Sequence, residues 1–224
     1  ETRGFRSSLS QPALSVIAEI KRRSPSKGDL FVDLNPAVLA REYATGGAAC
    51  ISVLTDEANF GGSQTDLEMA RDAVKLPVLR KDFTVDERDV LDARLMGADA
   101  VLLIVAALSK QELERFFSLS GELGLDALVE THDEAELETA LEIGAELIGV
   151  NQRNLITFEV DHERAARMAE LIPDDVIAVA ESGVRGPADA ATLRQAGYAA
   201  ILVGETLVTS GDATAAVAAL REAV

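Results

Sequence analysis

Short apolar runs rich in Val, Ile and Leu alternate along the chain with longer stretches whose apolar residues recur at helical spacing. The runs predict strands at Val16–Lys21, Cys50–Thr55, Pro77–Lys81, Ala100–Ile104, Asp126–Glu130, Leu147–Asn151, Ile177–Glu181 and Ala200–Gly204. Several are apolar nearly throughout, as parallel strands are when helices cover them. The stretches between them predict helices. Val90, Leu91 and Leu95 share a face of Asp86–Met96, Leu113, Phe116 and Phe117 a face of Ser109–Leu123, and Ala135, Leu137, Ala140 and Leu141 mark Asp133–Ile143. Ser109 with Glu112 fits a capping box, Asp133 can cap its own helix, and Pro36 and Pro187 suit a first helical turn. Eight strands, each followed by a helix, predict an α/β protein: a closed (β/α)8 TIM barrel, one domain over residues 1–224, with its active site at the C-terminal ends of the strands.

An internal echo supports that reading. Gly47, Gly97, Gly144 and Gly197 each precede a strand in the same local pattern, at spacings of 50, 47 and 53 residues, or every second unit. Each glycine is expected to stop a helix in the left-handed conformation. A doubly wound sheet would use the same stop, but the chain has no Gly-x-Gly-x-x-Gly frame and no P-loop.

Charge and composition narrow the function. With 21 Lys and Arg against 38 Asp and Glu over 224 residues, the net charge is −17, which weighs against nucleic acid and anionic membrane as partners. The single Cys50 excludes an internal disulfide and a multi-cysteine metal site, and two histidines, His132 and His162, leave little for zinc. No run reaches the roughly 18 apolar residues of a membrane helix, and no signal peptide opens the chain. The expectation is a soluble, cytoplasmic monomer acting on a small molecule.

In a barrel of this kind the last residue of each strand matters most. Glu19 and Lys21, two apart, point to one side of the first strand. Lys81, Glu130, Asn151 and Glu181 end four others, and the last runs through Gly204 into Glu205. Such a ring could be a set of ion pairs that fixes the barrel. The functional reading is a mouth holding acids and bases for proton transfer. Three carboxylates could hold magnesium, but the interleaved lysines would compete with the ion. Ser182-Gly183-Val184-Arg185 and Gly204-Glu205-Thr206 follow the last two strands, the usual phosphate site of such barrels. The loop Arg22–Gly28, with Ser24 in it, would join Lys21, Lys81 and Arg153 in a positive island on the same rim. Phe60 and Phe83, in loops after the second and third strands, offer a flat apolar face to a ligand or plug the barrel top.

The stretches Ile17–Gly28, Ser52–Asp56 with Phe60–Ser63, Leu79–Phe83, Leu128–Thr131, Gly149–Leu155, Ala180–Val184 and Leu202–Glu205, in this order, resemble the indole-3-glycerol phosphate synthase family of tryptophan biosynthesis. The resemblance implies a lyase that needs no cofactor and no metal. Its substrate would be 1-(2-carboxyphenylamino)-1-deoxyribulose 5-phosphate, whose indole ring closes with loss of carbon dioxide and water. It implies Lys81 as the general acid at the substrate carbonyl, and Glu130 and Glu19 as groups for proton transfer in the dehydration. Lys21 would bind the substrate carboxylate, and Asn151 and Glu181 would hold the substrate and orient these groups. Ser24, Arg153, Ser182, Gly183, Gly204 and Glu205 would line the substrate and phosphate site, and Phe60 and Phe83 would pack on the anthranilate ring. Family members usually carry a longer helical extension that helps cover the active site. Here only Glu1–Ser15 precede the first strand, and Phe5 and Leu9 are the only large anchors, enough for one helical turn. Asn59 and Thr206 also depart from the common residues at their positions. The alternatives are another phosphosugar barrel, such as an isomerase, or a catalytically silent phosphate-binding barrel. The isomerase would want a cysteine–aspartate pair, and Cys50 starts its strand instead of ending it.

Overall fold

The computed structural model describes residues 1–154, 157 and 159–223. Eight parallel strands close into a barrel: β1 (Ser15–Ile20), β4 (Cys50–Leu54), β5 (Val78–Lys81), β6 (Ala100–Ile104), β7 (Asp126–Thr131), β8 (Leu147–Asn151), β9 (Ile177–Glu181) and β10 (Ala200–Val203). Each pairs with its neighbours in sequence, and β10 closes the ring onto β1. All eight predicted strands are present, with no end differing by more than one residue. Lys21, Thr55, Pro77 and Gly204 fall outside them.

Alternation along each strand divides the apolar side chains into two sets. Ile17, Cys50, Leu79, Leu102, Leu128, Leu147, Val179 and Leu202 form the core inside the barrel. The strand residues alternating with them, such as Val16, Ala18, Ile51, Val53, Val78, Val129, Ile148 and Ile201, pack outward with Leu39, Leu67, Val90, Leu113, Phe116, Leu137 and Val217 of the surrounding helices. The same alternation, carried two residues on from Ile17, Leu79, Leu128 and Val179, aims Glu19, Lys81, Glu130 and Glu181 at the barrel axis.

The capping and stop signals behave as expected, whereas of the apolar face Val90, Leu91 and Leu95 only Val90 is buried. Ser109 and Glu112 form a capping box, Asp133 caps Glu134–Glu142, and Pro36 and Pro187 open their helices. Gly47, Gly97, Gly144 and Gly197 all have φ between +79° and +106°, the left-handed stop that the echo predicts. Two local features go unforeseen. The basic loop folds into a small antiparallel hairpin of β2 (Arg23–Ser24) and β3 (Gly28–Asp29), and Phe60 closes a helical turn, Glu57–Phe60, capped by Asp56.

The leading segment makes the one helical turn expected, Phe5–Ser8, but not where a cover for the mouth would lie. Phe5 and Leu9 are fully buried in the core inside the barrel, beside Cys50 and Ala100 at the starts of their strands. The Arg3 and Arg6 amides donate to Asp99 and Asp126, which also stand at strand starts. Residues 3–9 therefore plug the N-terminal end of the barrel, opposite the mouth. Polar neighbours did not prevent docking because the open barrel end offers an apolar socket. Filling it with Phe5 alone is worth about 1.5–3 kcal/mol.

Candidate active site

At the C-terminal ends of the strands lies a cleft of about 390 Å³. Leu54, Leu102, Ile104, Leu202 and Val203 give it apolar walls, and the ring of strand-end charges forms its polar part. Every one of the fourteen residues singled out from sequence lines it: Glu19, Lys21, Ser24, Phe60, Lys81, Phe83, Glu130, Asn151, Arg153, Glu181, Ser182, Gly183, Gly204 and Glu205. Leu155 of the quoted Asn-Leu motif lies outside the described residues.

Lys81 is the centre of the polar floor. Its Nζ lies 2.9 Å from Glu130 Oε2 and 2.8 Å from Glu181 Oε2, and both carboxylates are almost wholly buried. Burial disfavours the ammonium, but the charges of Glu130 and Glu181 overcome it and hold Lys81 above its ordinary value. The two glutamates differ. Glu130 has several donors: Lys81 on Oε2, Asn151 Nδ2 at 3.0 Å on Oε1, and His132 Nε2 at 3.3 Å from Oε1. Burial pushes its carboxyl up, and these partners, Lys81 foremost, bring it below the usual range. Glu181 has Lys81 on one oxygen, and Oε1 has no hydrogen-bond partner among the described residues. Burial and the Glu130 charge outweigh Lys81 and push Glu181 up to about 7. Two carboxylates in one pocket are thus driven apart, the arrangement that separates an acid from a base.

A second pair stands beside the first. Lys21 Nζ lies 2.6 Å from Glu19 Oε1, and Glu19's main chain is fixed by the Tyr43 hydroxyl, which donates to its carbonyl at 2.9 Å. Gly204 passes so close that a Cβ there would stand 2.3 Å from Glu19 Oε1, and one on Gly149 would stand 2.0 Å from Glu181 Oε1. Both positions are glycine because the carboxylates occupy the space a side chain would need.

Asn151 also accepts from the Arg153 amide at 3.0 Å, so it links Glu130 to the following loop. Ser182 (φ 66°) and Gly183 (φ 76°) are consecutive left-handed residues, and the Gln152 amide group donates to the Ser182 carbonyl at 2.7 Å. The Thr206 hydroxyl donates to the Val184 carbonyl at 2.6 Å, which ties the last two loops together. At the rim Lys27 comes within 3.7 Å of Glu205. The expected positive island is smaller than the sequence suggests. Arg22 pairs with Asp66, and Arg23 donates to the carbonyls of Glu57 and Ala58, so these two arginines brace the loop instead of lining the cleft.

Sequence reasoning missed three groups. His132 and Glu136 lie just behind Glu130, and His162 lines the cleft near Gly183. Residue 132 follows residue 130 at strand spacing, which was the available signal. Among the described residues no three of His, Cys, Asp and Glu are arranged to hold a metal ion. Lys81 stands between Glu130 and Glu181, where a cation bridging them would have to sit.

A closed parallel barrel with buried, mutually paired acids and bases at the C-terminal mouth defines the class: a (β/α)8 barrel enzyme of acid–base chemistry. Comparison with known proteins makes this particular. The chain belongs to the indole-3-glycerol phosphate synthase family, whose sequence model matches residues 1–220. It is 57% identical over 203 residues to an indole-3-glycerol phosphate synthase of a Nocardioides species, covering 91% of this chain and 78% of that one. It is 53% identical over 210 residues to indole-3-glycerol phosphate synthase 2 of Streptomyces coelicolor, covering 94% and 81%. Its activity is that of the family, a carboxy-lyase of tryptophan biosynthesis. Among solved structures, the thiamine phosphate pyrophosphorylase of Pyrococcus furiosus superposes with a TM-score of 0.70 at 18% identity, over 93% of this chain and 94% of that one, a likeness of fold alone. No helix among the described residues is long and apolar enough to cross a membrane.

Proposed function

We infer that the synthase reaction on 1-(2-carboxyphenylamino)-1-deoxyribulose 5-phosphate is carried by the Lys81–Glu130–Glu181 cluster, with Glu19, Lys21 and Asn151 beside it. The observation that carries this reading is the buried Lys81 ammonium held between two carboxylates of unlike proton affinity at the floor of the cleft.

Ring closure moves negative charge onto the substrate carbonyl oxygen, and Lys81 supplies the proton there. A buried ammonium is costly unless paired. Transfer of its proton relieves that cost and leaves the amine neutral beside Glu181, which can carry a proton near pH 7. Loss of carbon dioxide from the carboxyl-bearing ring carbon leaves electrons that flow into the new ring. Dehydration then needs a proton delivered to the departing hydroxyl and another removed from the ring system. Glu130, ionised, and Glu19 lie within the same pocket for these transfers. Lys21 binds the anthranilate carboxylate, in exchange for its pairing with Glu19. Phe60 and Phe83 cover the aromatic ring, and Ser24 and Arg153 complete the substrate site.

The phosphate is read at the meeting of the last two loops. Ser182, Gly183 and Gly204 line the cleft there with little side chain, and Lys27 offsets the Glu205 charge that would otherwise repel the anion. We read the working protein as a cytoplasmic monomer that binds no nucleic acid, in keeping with its net charge of −17.

The test is to mix the protein with the anilino-deoxyribulose phosphate and follow indole fluorescence, with Glu130→Gln in parallel. Product from the wild type and a strong loss in the variant are expected. Full turnover by Glu130→Gln would remove that carboxylate from the mechanism.

A further inference from the structure

We propose that His132 is a positioning residue for Glu130: braced by Glu136, its imidazolium sits behind the Glu130 carboxylate and keeps it ionised and turned toward Lys81. This rests on Glu130 taking part in the reaction as read above.

The geometry is a line of three side chains. Glu136 Oε2 accepts from the His132 main-chain amide at 2.7 Å and lies 3.0 Å from His132 Nδ1. The other ring nitrogen, Nε2, is 3.3 Å from Glu130 Oε1, a charge contact more than an aligned hydrogen bond. Glu136 is itself set by its helix, since its amide donates to Asp133 Oδ1 at 2.9 Å. The imidazole is largely buried and does not line the cleft, so it acts through Glu130 and does not touch substrate.

The charges around it favour the imidazolium. Glu130 faces it from its own strand and Glu136 from the following helix. The turn Val105–Ala107, packed against both elements, carries no ionisable side chain. Lys81 and Asn151 reach it only across the Glu130 carboxylate. Burial disfavours the charged ring, but the two carboxylates outweigh it and push His132 up to about 9. Without this cation Glu130 would keep Lys81 and Asn151 but lose part of what separates it from Glu181. His132 thus assists the division of labour between the two glutamates.

The chain has two histidines, so imidazole nitrogen NMR of the labelled protein reads two rings, His132 and His162. His132 is expected to be charged at pH 7.5 and to titrate with a midpoint near 9. Glu136→Gln should lower that midpoint by about one pH unit or more. In kcat/KM, which reports free-enzyme ionisations, His132→Gln should tilt the profile against acid pH, its acidic midpoint standing about one pH unit above that of the wild type, because Glu130 takes up a proton earlier. Glu136→Gln should show the same tilt more weakly, and it serves alone if His132→Gln fails to fold. A neutral His132 at pH 7.5, or an equal loss at all pH values, overturns the inference. If Glu130→Gln is inactive while the His132 and Glu136 variants show no tilt, the inference fails and the role of Glu130 stands. Full activity of Glu130→Gln overturns both.

Discussion

The two ends of this barrel both bury charge, and they use it differently. At the N-terminal end the charges are paired mainly with the main chain. Asp99 accepts from the amides of Arg3 and Val78 and pairs with Arg71, and the Arg3 guanidinium donates to the carbonyls of Arg71, Val74 and Leu76. Asp126 takes the Arg6 amide. Those bonds fix a segment and its Phe5 plug. At the C-terminal end the charges are paired chiefly with one another. Lys81 is shared by two glutamates, Lys21 holds Glu19, and one Glu181 oxygen has no partner among the described residues. Side-chain pairs of this kind can exchange protons and partners with a ligand, whereas carboxylates bonded to amides hold the chain in place. The comparison separates an end built for stability from an end built for chemistry.

The sharpest way to break that comparison is to remove the central cation at the mouth. Lys81→Met should lower kcat by roughly 10²–10⁴-fold, the usual span of general acid–base catalysis. The barrel should persist, because a proton on Glu181 relieves the repulsion between the two carboxylates left behind. Steady-state kinetics and circular dichroism check both halves. A variant that keeps most of its kcat would take Lys81 out of the mechanism.

The complementary change is made at the other end. Phe5→Ala empties a fully buried site and should cost about 3–5 kcal/mol of stability. The kcat of the folded fraction should stay within a factor of two. Urea unfolding followed beside the fluorescence assay measures the two effects together. A large fall in kcat with unchanged stability would mean that the plug governs the mouth, and would erase the distinction between the ends.

How much of this was legible beforehand depended on whether the signal was local. The strands and the inward aim of Glu19, Lys81, Glu130 and Glu181 follow from a two-residue period that any strand must obey. The glycine stops followed from backbone sterics. The socket for Phe5 and Leu9 is made by eight strands distant in sequence, so the two anchors gave no sign of which end of the barrel they would fill. Arg22 and Arg23 looked available for an anion because nothing nearby reveals that Asp66 and the Glu57 and Ala58 carbonyls would engage them. His132 and Glu136 escaped notice because one sits just past a strand and the other on an outer helix, and only the turn between them brings them to Glu130.

A smaller effect is expected where space alone is changed at the mouth. Gly204 has φ −118°, so a side chain meets no backbone strain there, only Glu19 and Lys21. Gly204→Val should cost about 1–3 kcal/mol, the range for overpacking. Much of that should appear as a raised KM and as weaker competitive inhibition by inorganic phosphate. Non-competitive inhibition by phosphate in the wild type would move the anion site away from these loops.

The smallest effect is a dependence of stability on pH, and its sign differs for the two glutamates. Glu181 is pushed up from about 4.5 to about 7 on folding. Between those values the folded protein holds a proton that the unfolded chain has released, so rising pH destabilises the fold. The contribution is present in full below about 4.5 and is lost as pH climbs through 7. Glu130 is held below its ordinary value, so its contribution is present above about 4.5 and is lost in acid. Replacing Glu181 by Gln removes the first dependence and keeps the second. The Tm of the wild type minus that of Glu181→Gln should therefore fall between pH 5 and pH 8. A flat wild-type minus Glu181→Gln difference would mean that Glu181 is ionised throughout and that the two carboxylates of the mouth are not distinguished by their surroundings.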